Sequence, residues 1–128
     1  MRFDESEIRA TVSNLHSKDE PEEHDFPAAL EYLSLLTSPV NAARYVEELR
    51  RGRCYTRKAK DLLRASNLEL LPKDNRHVEK DLKKIEDGEK LSPVLVIRGQ
   101  PLVIADGYHR ICASYHLDEN VEIPCRIV

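Results

Sequence analysis

The residues best suited to chemistry lie in one short stretch near the C-terminus, Ala105-Asp106-Gly107-Tyr108-His109-Arg110. Leu102, Val103, Ile104 and Ala105 form an apolar run of strand character. Tyr108, Ile111, Cys112 and Tyr115 then recur at the i, i+3, i+4, i+7 spacing of one helix face. A strand is therefore expected to turn into a helix at Asp106-Gly107, where glycine permits a tight turn and a close approach to the backbone. The first turn of such a helix has unbonded N–H groups at the positive end of its dipole, which together make an anion site. His109 and Arg110 add side-chain donors, and a guanidinium suits the paired oxygens of a phosphate. The chemistry expected is phosphate binding. Two alternatives attach to the same residues: Arg110 can instead pair with a carboxylate, and Asp106 can simply cap the helix. Asp106 and His109, three apart, also have the spacing of an acid–base pair.

Other reactive residues point to less. Cys112 and His116 are four apart, as metal ligands on a helix would be, but no third or fourth ligand accompanies them. The three cysteines include no CxxC pair, which argues against a zinc knuckle or a disulfide framework. Cys112 and Cys125 fall where small buried hydrophobes belong. His77, in the first turn of its helix, reads as a solvated side chain, and His16 and His24 carry no signal.

The elements that must position the stretch can be read in order. Residues 1–25 are acidic and polar and read as a mobile segment, with one short helix over Phe3, Ile8, Val12 and Leu15 and a linker from Ser17 to Asp25. Residues 26–66 read as a helical extension. A helix over Ala28–Leu36 is followed by one opened by Ser38-Pro39, with Val40, Ala43, Val46 and Leu49 on one face and Gly52 as its stop. A third, capped by Thr56 and running to Ala65, turns Ala59, Leu62 and Leu63 inward. Residues 67–128 then read as a β-α-β-β-α-β core. Its first strand is Leu68-Glu69-Leu70-Leu71 before Pro72. Asp74 or Asn75 caps a helix bearing Val78, Leu82 and Ile85, which Gly88 closes. Val94–Ile97 and Leu102–Ala105 make a hairpin about Arg98–Pro101, the elbow helix runs to Leu117, and Val121–Val128 is the closing strand. The fold class expected is α+β, in a single domain.

The run Leu91 to Arg98, then Pro101 to Arg110, then Val121 to Val128 resembles the ParB/sulfiredoxin superfamily. Its members share a strand ending in Pro-x-x-Val, a Gly-x-x-Arg elbow with a helix, and a closing strand. The resemblance covers the C-terminal half of the chain and implies a small mixed sheet. It also implies a ligand: a nucleotide (ATP, ADP or CTP) with Mg²⁺, or a phosphorylated small molecule, its phosphates held by Gly107, Tyr108, His109 and Arg110. The exit of the first strand lies beside the ligand in relatives, which points to Pro72, Lys73 and Asp74. Asp106, or else Asp74, would serve as base or metal ligand. The activity implied is that of a Mg²⁺-dependent phosphotransferase, nucleotide hydrolase or nuclease. Two departures narrow this. Tyr108 stands where sulfiredoxins carry a nucleophilic cysteine, and a phenol cannot replace a thiolate in their exchange chemistry. A chain ending at Val128 is also not expected to carry the helix-turn-helix that partition proteins use to read DNA.

Composition bounds the remaining classes. The chain has 128 residues, 34 % of them charged, with a net charge of −3 and no tryptophan, so its core rests on aliphatic side chains. From Asp4 to Glu31 nine acidic residues oppose Arg9 and Lys18. From Arg44 to Arg64 eight basic ones oppose Glu47, Glu48 and Asp61. Within that second run Arg57, Lys58, Lys60 and Arg64 would form the outward face of a helix able to meet nucleic acid. The alternative function is therefore a non-enzymatic module that binds nucleic acid or a partner and keeps a vestigial phosphate site. No apolar stretch approaches the ~20 residues that span a membrane, and no signal-peptide core is present. A cytoplasmic protein without a membrane partner is expected.

Overall fold

A computed structural model describes residues 17–128, so the helix expected over Phe3–Leu15 lies outside the described residues. Its elements are α1 (Asp25–Leu36), α2 (Pro39–Arg51), β1 (Tyr55–Lys58), α3 (Ala59–Ser66), α4 (Arg76–Glu86), β2 (Val94–Ile97), β3 (Val103–Asp106), α5 (Tyr108–Leu117) and β4 (Glu122–Ile127). The fold is α+β, with a four-stranded sheet in the order β1-β4-β2-β3. β1 pairs with β4 and β2 with β3 antiparallel, whereas β2 and β4 run parallel, so the sheet is mixed.

Alternation along β2 explains why both sheet faces are covered. All four of its residues are buried. Val94 and Val96 enter one core with Ala59, Leu62 and Leu63 of α3, Val78 of α4 and Ile111 and Cys112 of α5. Leu95 and Ile97 enter the other, with Phe26, Ala29 and Leu33 of α1 and Ala42, Val46 and Leu49 of α2. A strand whose successive side chains point to opposite faces must bury both when every residue is apolar. Helices therefore sandwich the sheet, α1 and α2 on one side and α3, α4 and α5 on the other.

Local signals account for the helix boundaries. Ser38 caps α2, its Oγ accepting from the Asn41 N–H at 3.2 Å, with Pro39 at the first helical position. Asn75, not Asp74, caps α4 by accepting from the N–H groups of His77 and Val78. The inward face of α2 departs from expectation. Ala42, Val46 and Leu49 are buried, whereas Val40 and Ala43 point to solvent.

Two sequence expectations are corrected. Leu68–Leu71 is not a strand. Asn67 ends α3 in the left-handed conformation, and the carbonyls of Glu69 and Leu71 meet the side chains of Tyr108 and His116 rather than another strand. The strand lies earlier, at Tyr55–Lys58, inside the stretch expected to be helical. Thr56 consequently caps nothing: its hydroxyl donates to Glu122 across the sheet. α3 needs no side-chain cap because the N–H groups of Ala59 and Lys60 donate to the carbonyls of Val121 and Glu119. The acidic segment from Ser17 to Asp25 is also tied down. Ser17 bridges to Leu91, the Lys18 N–H donates to the Leu91 carbonyl at 2.7 Å, and Glu20 pairs with Arg126. Arg126 is itself buried and donates to the Leu49 and Arg50 carbonyls at the end of α2.

Amide hydrogen exchange checks the strand placement. Slow exchange is expected within Tyr55–Lys58 and fast exchange within Leu68–Leu71. The opposite pattern would restore the strand to the leucines.

Candidate functional site

β3 delivers Asp106 to its end, and Gly107 then turns the chain into α5 with φ 114° and ψ 16°. Only glycine fits here. A Cβ would sit 3.0 Å from a Val94 methyl and 3.0 Å from Nη2 of Arg110, on a backbone conformation that L side chains rarely adopt. No side chain caps α5, and the Gly107 carbonyl accepts from the Ile111 N–H at 3.0 Å to close its first turn. The strand–glycine–helix elbow read from the sequence is present.

Arg110 is held within that elbow. Its Nη2 donates to Asp106 Oδ2 at 2.9 Å and to the Pro93 carbonyl at 3.1 Å. Its Nη1 stands 4.0 Å from Oδ1 of Asp25, whose side chain is only 2 % exposed. The guanidinium therefore has carboxylate partners of its own, one from β3 and one from the start of α1. Its Nε is buried and has no partner among the described residues. Burial holds the Asp106 carboxyl above its usual range; Arg110 pulls it down and the like charge of Asp25 pushes it up. Asp106 is thus a positioned counterion of Arg110.

The elbow opens onto a cavity of about 170 Å³ between α4 and α5, lined by His77, Lys80, Asp81, Lys84, Asp106, Gly107, His109 and Arg110. Three cations thus face two carboxylates. The His77 and His109 rings lie 4.7 Å apart between centroids, in a contact tilted by 47°. Burial, and then the neighbouring His77, hold His109 below the ordinary imidazole value. Burial raises the Asp81 carboxyl, with the charges of Arg110 and Lys84 opposing.

Of the residues expected at the site, Asp106, Gly107, His109 and Arg110 come together. Tyr108 turns away, its hydroxyl donating to the Glu69 carbonyl at 2.6 Å. Lys73 and Asp74 are exposed in the segment before α4 and do not line the cavity, because the strand that would have carried them there does not form. Four wall residues escaped sequence reasoning: His77, Lys80, Asp81 and Lys84. Their i, i+3, i+4, i+7 spacing was the available signal, a polar stripe beside the apolar one of Val78, Leu82 and Ile85.

The basic run does not form one helical face. Arg57 and Lys58 belong to β1, while Lys60 and Arg64 belong to α3, where Arg64 pairs with Asp61 at 3.3 Å. Cys112 and His116 do not share a metal: the thiol is fully buried, and His116 Nε2 is engaged with the Leu71 carbonyl at 2.7 Å. Cys125 is equally inert, its thiol pushed up to about 12 by burial. No group of three or more His, Cys, Asp or Glu is placed to hold a metal ion among the described residues. No helix among them is long and apolar enough to cross a membrane. Comparison of the chain with protein-family models, with curated proteins and with solved structures finds no match.

Arg110→Ala should lower stability at pH 7 by about 3 kcal/mol, because it removes the guanidinium that Asp106 and Asp25 share. The sign of its pH dependence follows from the raised Asp106 carboxyl. A group whose folded pKa is raised favours folding below its unfolded value and loses that contribution as pH rises through the folded one. Arg110 offsets this loss at neutral pH. Melting curves should therefore show a deficit in the variant that narrows as the pH falls from 7 toward about 4, the ordinary carboxylate range. A deficit that does not change with pH would show that the Arg110–Asp106 pair does not carry the effect.

Proposed function

We propose that this chain binds the phosphate end of a nucleotide or of a phosphorylated small molecule in the cavity at the Asp106–Arg110 elbow, as its resemblance to the ParB/sulfiredoxin superfamily implies. The observation that carries this reading is convergence. Lys80 and Lys84 of α4 and Arg110 of α5 face one small cavity at the uncapped N-terminus of α5, on which Gly107 lets a ligand come close to the backbone. Ammonium groups supply mobile point charges to phosphate oxygens, and helix N–H groups supply fixed ones.

Size narrows the ligand. About 170 Å³ is less than the roughly 300–1,000 Å³ of pockets that enclose a drug-sized molecule. One phosphate group fits inside, and a nucleoside would extend beyond the mouth. With only Asp81 and Asp106 as lining carboxylates, Mg²⁺ would enter as a complex with the phosphates, which is how it commonly binds. Any phosphoryl chemistry at the site would depend on positioning and charge neutralisation rather than on a dedicated base.

Calorimetric titration with ATP, ADP and CTP, each with Mg²⁺, tests the reading. Submillimolar binding of at least one is expected. Replacing Lys80 and Lys84 together by alanine should weaken it about ten- to a hundredfold, the size of one to two charge-assisted contacts. Arg57→Ala and Arg64→Ala, away from the cavity, should leave it unchanged. Folded protein that binds none of the three below millimolar concentration, or binding insensitive to the two lysines, would overturn the proposal.

A further inference from the structure

His77 and His109 are both second residues of their helices, α4 and α5, and the two rings meet at the cavity wall. That placement is unusual in its electrostatics. Each imidazole stands at the positive end of a helix dipole, in a cavity also lined by Lys80, Lys84 and Arg110. A proton on either ring would be repelled by all of these and by the other ring. The groups facing His109 are few and can be named. From α4 they are His77 and Asp81. From α5 they are Arg110 and the Tyr108 ring, 5.5 Å away. Asp106, at the end of β3, lines the same cavity. Among these only the two carboxylates favour a charged imidazole, and Asp106 is already bound to Arg110.

Burial and the neighbouring His77 thus hold His109 toward its neutral form when the cavity holds only solvent, and an anion reverses the balance. We infer that the adjoining His77–His109 pair makes the cavity a proton-coupled receptor for tetrahedral oxyanions: the pair takes up a proton from solvent as the anion enters, and the resulting imidazolium donates to it. This rests on the phosphate reading above and adds to it a regulating variable, pH, and a new binding residue, His77. Uptake also compensates charge. With three cations and two carboxylates lining the cavity, a dianion leaves a small negative excess, which one proton on the imidazoles offsets. The depressed proton affinity of His109 in the free protein accords with this, since burial and His77 are the causes an arriving anion would counter.

The sign of the pH effect follows by linkage. In the window above the free pair's titration and below that of the anion-bound pair, each anion brings one proton. Affinity then falls about tenfold per pH unit as the pH rises. Below that window the rings are already charged, and affinity levels off.

The test uses the full chain and two probes, inorganic phosphate and inorganic sulfate. Sulfate has no proton to exchange near neutral pH, so any uptake it causes is on the protein. Titrations at pH 7 in two buffers of different ionisation enthalpy give the number of protons taken up. Between about half and one proton per sulfate is expected, from an imidazole raised by an adjacent anion. Ring Cε1–H signals followed by NMR in the wild-type protein identify the group. Saturating sulfate should move the titration of His77 or His109 upward by about one pH unit or more. His77→Gln, at an exposed position, should retain the fold and cut the uptake at least by half. If sulfate binds without proton uptake, or if uptake occurs while neither imidazole titration moves, the inference falls and the phosphate site stands. If neither anion nor any of the three nucleotides binds, both fall.

Discussion

A guanidinium buried at a strand-to-helix junction has to be matched by fixed acceptors, and the rest of this fold is arranged around meeting that demand for Arg110. Its partners come from three separate elements: the end of β3 (Asp106), the residue before β2 (Pro93) and the first residue of α1 (Asp25). The desolvation cost of a charge removed from water is recovered only with close opposite charges and satisfied hydrogen bonds. The N-terminus of α1 is thereby drawn against the edge where the elbow turns, with Asp25 almost wholly inside. Gly107 completes the constraint, because any Cβ there would push into Val94 and into the guanidinium itself.

The sheet converts this local demand into an open site. β2 and β4 occupy its centre, and every β2 side chain is buried, so helices must lie on both faces. On the face that carries α5, α4 packs beside it through Val78 and Leu82. Those apolar positions set the two helices together along one seam and leave the neighbouring stripe of α4, from His77 to Lys84, facing the elbow. The cavity is thus a by-product of helix packing that has been lined with charge.

The lining mixes charges of both signs. Two carboxylates sit among the cations, and Arg110 is already paired. A cavity of uncompensated positive charge would oppose folding, so internal counterions hold it near neutrality. Lys80 and Lys84 stand on flexible stems at the cavity wall, while Arg110 is fixed in the elbow. The division follows from side-chain chemistry: the planar guanidinium suits a fixed network, and the ammonium suits a mobile contact.

What the sequence determined by itself is whatever depends on neighbours in the chain. Gly107 between an apolar run and a helical face specifies the elbow, Ser38-Pro39 starts its helix, and unbroken burial of Val94–Ile97 follows from four apolar residues in a row. These are backbone and periodicity effects, set within a few residues. Tyr55–Lys58 could not be recognised in this way. It is a polar strand with Tyr55, Thr56 and Arg57 exposed, and it exists because β4 offers it a partner far along the chain. Leu68, Leu70 and Leu71 carry the better strand signal, yet side chains of α5 take two of that segment's carbonyls. The pairing of Arg110 with Asp25 was likewise decided only by tertiary structure. Burial of a charge and the choice of its partner are properties of a whole packed interior, and no local pattern of residues encodes them.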